Sequence, residues 1–158
     1  MRSGRRLAID VGKARVGLAI SDQHAILASP LATIDRNQLG TDFGDLFEAI
    51  SDPTNLLEIY VGLPLNMKGN STQSTEDAVE FAKILGDLVS VPVLLVDERL
   101  TTAISNRQLQ NVSKSQKDAR STIDQMAAVA ILEYAFLAER NSGARPGLSL
   151  EEWSAAND

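Results

Sequence analysis

Three acids, Asp10, Glu98 and Asp124, stand inside a core strand or at the ends of elements. Asp10 falls inside the apolar run Leu7-Ala-Ile-Asp-Val11, at a place where a core strand normally carries an aliphatic residue, and burying a lone carboxylate is costly. Glu98 lies in Asp97-Glu-Arg-Leu-Thr-Thr102, where an apolar run over 93–96 turns abruptly into charge. The carboxyl ends of strands are where open α/β sheets place their sites. Asp124 stands at the start of a long segment with one apolar face. If the first and fifth strands are neighbours and that segment begins beside them, the three carboxylates converge. Their mutual repulsion is relieved by a hard divalent cation, Mg²⁺ or Mn²⁺, bound through oxygen. A centre of that kind favours phosphoryl chemistry. The chain has no cysteine and one histidine, His24, so thiolate and multi-histidine metal sites are excluded.

Positioning these acids requires a layered α/β fold. Residues 7–22 read as two short strands joined by a tight turn, with Gly12 and Gly17 flanking Lys13, Ala14 and Arg15 and letting the backbone bend. A third strand is expected over 26–34, where Pro30 points to an edge or a bulge. Phe43, Leu46, Phe47 and Ile50 recur at helical spacing and predict a helix over 39–50, stopped by Asp52-Pro53. A fourth strand follows over 56–61, then a Gly, Pro and Asn-rich loop over 62–70, and a helix beginning at 71–75. The fully apolar strand 93–96 reads as central. A helix over 101–110, a polar loop over 111–117 and a last helix over 121–139 complete a mixed five-stranded sheet, antiparallel in its first three strands and parallel after them, flanked by helices.

The length, 158 residues, and an apolar content of 44% suit one domain, assigned to 1–140, with a C-terminal tail over 141–158 whose Trp153 can dock on the body. No apolar run approaches the roughly 20 residues of a membrane span, and the first residues lack the apolar core of a signal peptide; the expected location is the cytoplasm. A net charge of −6 argues against coating nucleic acid by the overall field. The cations are clustered, however: Arg2, Arg5, Arg6, Lys13 and Arg15 near the start, and Arg99, Arg107, Lys114, Lys117 and Arg120 later, whereas 35–58 holds six acids and only Arg36.

Four blocks then occur in register: Asp10-Val-Gly-Lys-Ala-Arg-Val-Gly17, Val61-Gly-Leu-Pro-Leu-Asn66, Asp97-Glu-Arg-Leu-Thr-Thr102 and Ile123-Asp-Gln-Met-Ala-Ala128. Together they resemble the signature blocks of the YqgF family, pre-16S ribosomal RNA nucleases also described as Holliday-junction-resolvase-like. The resemblance runs from Arg5 to about Ala138. It implies a ribonuclease H-like and RuvC-like fold and a divalent-metal nuclease acting on structured nucleic acid, trimming the 5′ end of precursor small-subunit ribosomal RNA. Carried over by position, Asp10, Glu98 and Asp124 are the catalytic acids and the ligands of Mg²⁺ or Mn²⁺. Arg15, with Lys13 and Arg99, would hold phosphates, and the 62–70 loop, Asn66 included, would bring backbone N–H groups to the substrate strand. Lys114, Lys117 and Arg120 are candidate nucleic-acid contacts.

Each assignment has a plainer counterpart. Asp10 could be a buried acid satisfied by turn amides, and Glu98 or Asp97 could merely pair with Arg99. Ser121-Thr-Ile-Asp124 fits a capping box, which alone would explain Asp124. The three later cations could be solvated, Asp22 a turn residue and His24 an exposed side chain. At the level of function, an actin-like or sugar-kinase-like ATPase also uses an Asp-x-Gly hairpin, but it needs two such domains. A DNA junction resolvase, and a non-catalytic protein binding ribosomal precursor or a transcription complex, stay open as alternatives.

Overall fold

The structure is a computed structural model and describes residues 1–101 and 116–157. Strands β1 (Arg5–Val11) and β2 (Arg15–Ser21) form an antiparallel hairpin, and β3 (Ala28–Asp35) pairs antiparallel on its outer side. Pro30 sits on that edge strand beside a register shift opposite Leu18 and Ala19, where its missing N–H costs no ladder bond. A short helix α1 (Gly44–Ala49) leads to β4 (Leu56–Leu63), parallel to β1; helix α2 (Gln73–Leu88) leads to β5 (Val93–Asp97), parallel to β4. The long helix α3 (Gln116–Ser142) follows, then β6 (Leu148–Ser149) and α4 (Leu150–Asn157). The sheet order is β3-β2-β1-β4-β5-β6, six strands rather than five because a two-residue strand pairs antiparallel with β5.

Strand alternation divides the core into two layers. Leu7, Ile9, Val16, Leu18, Ile59, Val61 and Leu95 pack with Phe43 and Leu46 and with Phe81, Ala82 and Leu85 of α2. Each such aliphatic side chain contributes about 1.5–3 kcal/mol on full burial. On the opposite face β4 and β5 carry Tyr60, Leu94 and Val96, whereas β1 and β2 carry only the small Ala8 and Ala19 against Ala128, Ile131, Leu132 and Ala135 of α3. Small residues on both partners bring α3 close to the sheet, which matters for the site below. Thr72 caps α2: its hydroxyl accepts from the Thr75 N–H, and Thr75 Oγ1 accepts from the Thr72 N–H at 2.9 Å.

Four local expectations are corrected. The helix predicted over 39–50 is only the six residues of α1, because Gly40 and Phe43 adopt left-handed backbone conformations and Asp42 Oδ1 accepts from the Gly44 N–H, so the chain turns before it coils. The apolar strand β5 is not central; its sequence reflects helices on both faces, while β1 and β4 hold the centre. Gly17 is not a turn residue but lies within β2. Finally, α3 begins at Gln116, so Asp124 is well inside the helix and caps nothing. The expected helix over 101–110 and loop over 111–117 fall mainly outside the described residues. Among the described residues no helix is long and apolar enough to cross a membrane.

At the end of the sheet opposite Asp10, the N-terminal arginines are consumed by structure. Arg6 is fully buried and donates to Glu139 Oε2 at 3.1 Å; Arg2 donates to Glu139 and to Glu58, and the Tyr60 hydroxyl donates to Glu58 at 2.7 Å. Burial alone would raise the Glu139 pKa, but hydrogen bonds from Arg2 and the nearby Arg6 charge hold it below the ordinary glutamate value. Glu139→Gln removes the charge facing a buried guanidinium and is expected to cost about 3 kcal/mol, or about 10 °C in melting temperature. With a folded pKa below the unfolded one, the wild-type contribution is complete above the unfolded value and fades as pH falls through the folded value. Melts recorded from pH 7 down to pH 3 should therefore show the two proteins converging at acid pH.

Candidate active site

The site lies at the carboxyl ends of β1, β4 and β5, and two glycines build it. Because Leu7, Ile9 and Val11 face the α2 layer and Ala8 faces α3, alternation sends Asp10 to the α3 face. Its cross-strand partner is Gly17. A Cβ on Gly17 would lie 2.1 Å from the carbonyl oxygen of Asp124 and 2.9 Å from its Cβ, so the absent side chain lets α3 rest on the sheet backbone there. This seats Asp124 on one flank of Asp10. On the other flank, Ile9 pairs with Val61, and the next residue of β4 is Gly62. A Cβ there would lie 2.6 Å from Glu98 Oε1 and 2.6 Å from Ile131 Cδ1. Glu98 thus folds back over the bare backbone of β4.

Asp10, Glu98 and Asp124 consequently line one cleft of about 210 Å³, together with Gly12, Lys13, Ser74 and Asp77. Asp10 is 2% and Glu98 4% exposed, and the Asp124 side chain 13%. Arg15 Nε donates to Asp124 Oδ2 at 2.9 Å. Among the described residues no three Asp, Glu or His side chains are drawn together tightly enough to chelate an ion as they stand. The donor set nevertheless suits a hard divalent cation: it is all carboxylate oxygen, largely shielded from water, and Gly62 leaves Glu98 the space that a side chain would fill.

The other predicted residues divide by placement. Lys13 lines the cleft, and the hairpin turn that carries it is closed by the Gly12 N–H donating to the Arg15 carbonyl oxygen at 2.9 Å. Arg99 turns away from the acids: it donates to Asp97 at 2.7 Å and its guanidinium lies against Gly69, pinning the 62–70 loop. Those hydrogen bonds to Asp97 raise the Arg99 pKa above its ordinary value. Asp97 also accepts from the Arg99 N–H, so of the two adjacent acids one organises the strand end and the other faces the cleft. Asn66 Oδ1 accepts from the Lys68 and Asn70 N–H groups at 3.0 and 2.9 Å and so latches its own loop. Lys114 and the side chains of Lys117 and Arg120 lie outside the described residues. Asp22 is a turn residue, its pKa lowered by backbone N–H groups of Leu27, Ile26 and His24, and His24 is exposed.

Sequence reasoning missed Arg36, Ser74 and Asp77. Arg36 forms an ion pair with Asp77, donates to the Gly12 carbonyl oxygen at 3.1 Å, and packs over the Phe81 ring at 5.8 Å. Its own N–H donates to the Ala14 carbonyl oxygen at 2.8 Å. One side chain therefore ties the Asp10 hairpin turn to the N-terminal part of α2, at its fifth residue. The available signal was its isolation as the only cation in an acidic stretch.

Comparison with known proteins agrees with this architecture. The profile of the RuvX family, described as a Holliday junction resolvase, matches residues 4–138. Relatives named "Putative pre-16S rRNA nuclease" include one from Clavibacter michiganensis subsp. michiganensis, 44% identical over 93% of this chain and 91% of its own length. Another, from Leifsonia xyli subsp. xyli, is 44% identical over 96% of this chain and 97% of its own. A third, from Mycobacterium tuberculosis, is 44% identical over 82% and 76%. T. thermophilus RuvC, solved in complex with a Holliday junction substrate, is similar with a TM-score of 0.52 at 16% identity, over 90% of this chain and 99% of that one. That likeness concerns the ribonuclease H-like fold. A profile spanning most of the chain, and relatives more than two-fifths identical along nearly its whole length, make it a member of the RuvX (YqgF) family.

Proposed function

We propose that this chain is a divalent-metal-dependent nuclease that hydrolyses phosphodiester bonds in structured nucleic acid, with the 5′ end of precursor 16S ribosomal RNA as its substrate. The observation that carries this reading is the gathering of Asp10, Glu98 and Asp124 in one cleft on either side of two required glycines. These three carboxylates would hold Mg²⁺ or Mn²⁺. Such a metal supplies Lewis acidity, favouring ionisation of the attacking water and offsetting charge on the phosphate. The chain's own contribution is placement and charge. Lys13, at the rim, attracts the phosphodiester, and Arg15 holds Asp124 while presenting a half-exposed guanidinium matched to phosphate oxygens. The names of the relatives favour a ribosomal RNA precursor; such a substrate would be met in the cytoplasm. The family description favours a second substrate, the four-way DNA junction.

The deciding experiment is cleavage of end-labelled precursor 16S RNA and of a four-way DNA junction, each with Mg²⁺, Mn²⁺ or EDTA, using wild type and Glu98→Gln. The expected result is cutting of the RNA near its mature 5′ end, dependent on metal and lost in the variant. Junction cutting alone would shift the function to resolution. Equal cutting by both proteins, or none by wild type, would overturn the nuclease reading in favour of a binding role.

A further inference from the structure

A second cleft, about 390 Å³, continues from the first and is lined by Lys13, Arg36, Gln73, Ser74 and Asp77. Lys13, Ser74 and Asp77 line both, so the two form one trough running from the three acids to the first turn of α2. Its volume lies within the roughly 300–1,000 Å³ usual for small-ligand sites.

Resting on the nuclease reading above, we propose that this second cleft is a ribonucleotide subsite, holding the nucleotide next to the cut and reading its 2′-hydroxyl. Its chemistry is unlike that of a pure phosphate groove. None of the described residues lining it is aromatic, so no ring is offered for base stacking. Lys13 supplies a cation for the phosphate. Asp77 repels phosphate but accepts a hydrogen bond from a hydroxyl, and Ser74 and Gln73 can do the same. A deoxyribose has no donor at that position, so an acceptor-rich wall distinguishes RNA from DNA at the sugar. Arg36 fixes this wall relative to the acids: it pairs with Asp77 and also donates to the carbonyl oxygen of Gly12, two residues beyond Asp10. The 2′-hydroxyl reader is therefore held in register with the reacting centre.

The test measures binding of matched single-stranded RNA and DNA oligonucleotides, by fluorescence anisotropy, to the full chain carrying Asp10→Asn so that strands stay intact. RNA should bind at least about fivefold more tightly than DNA, the weight of one hydrogen bond. A DNA strand given one ribonucleotide should recover that affinity at a single position. Adding Asp77→Ala should bring the RNA-to-DNA ratio close to one. Ser74→Ala, which leaves the Arg36–Asp77 pair in place, should lower the ratio about twofold to threefold and decides the matter if the Asp77 variant does not fold. No preference in the parent, or a ratio untouched by Asp77→Ala and Ser74→Ala, overturns the subsite. No cleavage by wild type, or cleavage that survives Asp10→Asn, would instead overturn the nuclease reading, and neither result depends on the RNA-to-DNA binding ratio, which separates the two failures.

Discussion

Asp10→Asn is expected to lose RNA cleavage by about 10³-fold or more while its melting temperature stays level with wild type or rises. The two halves of that result have one cause. Asp10 is 2% exposed and shares a small cleft with three further carboxylates, those of Asp77, Glu98 and Asp124. Neutralising one of several crowded anions relieves repulsion, and asparagine keeps the shape and one carbonyl oxygen. The charge that is lost is the one the chemistry needs. Active sites commonly sacrifice stability in this way. Cleavage assays beside thermal melts of the same preparation separate the effects; a variant that both melts early and fails to cut would point to a structural role for Asp10.

Gly17→Ala is expected to do the opposite, damaging architecture and activity together. The added carbon would sit 2.1 Å from the Asp124 carbonyl oxygen and 2.4 Å from its carbonyl carbon. Both are backbone atoms of a helix interior, so no side-chain rotation relieves the clash. Helix α3 must move off the sheet, loosening the Ala8, Ala19 and Ala128 layer. Overpacking of this severity costs about 3 kcal/mol, or about 10 °C in melting temperature, and carries Asp124 away from Asp10. A melting temperature within 2–3 °C of wild type, or about half the wild-type cleavage rate or more, would show that the contact is not needed. Comparing the two variants distinguishes a residue that reacts from a residue that only makes room.

Much of this was readable in the chain because local rules and the fold agreed. Alternating apolar runs fixed the strands, and an acid in the middle of one of them had no use in a core. Where the reading failed, a distant partner decided. Asp124 looks like a cap from its neighbours, yet its helix starts earlier, and its neighbour across the sheet is a glycine more than a hundred residues away. Gly17 reads as a hinge for the hairpin because sequence shows flexibility, whereas its use is close approach. Asp77 and Arg36 are ordinary surface charges in isolation, and only their pairing across the trough marks them. Asn66 sits in a conspicuous motif, but its side chain is spent on its own loop.

The C-terminal segment has a further consequence, concerning what the protein avoids. Strand β5 is a run of Val, Leu, Leu and Val whose outer edge is paired, among the described residues, with the two residues of β6, with Gly147 passing so near that a Cβ would lie 2.8 Å from the Leu95 carbonyl oxygen. Leu150 and Trp153 then anchor the segment on the core. Without that cover, β5 would present free N–H and C=O groups on a flat apolar strand, the template on which a second chain can build. The last residues thus act as a guard on the sheet: a chain cut short after α3 keeps its acids and its trough, but exposes an edge that invites self-association.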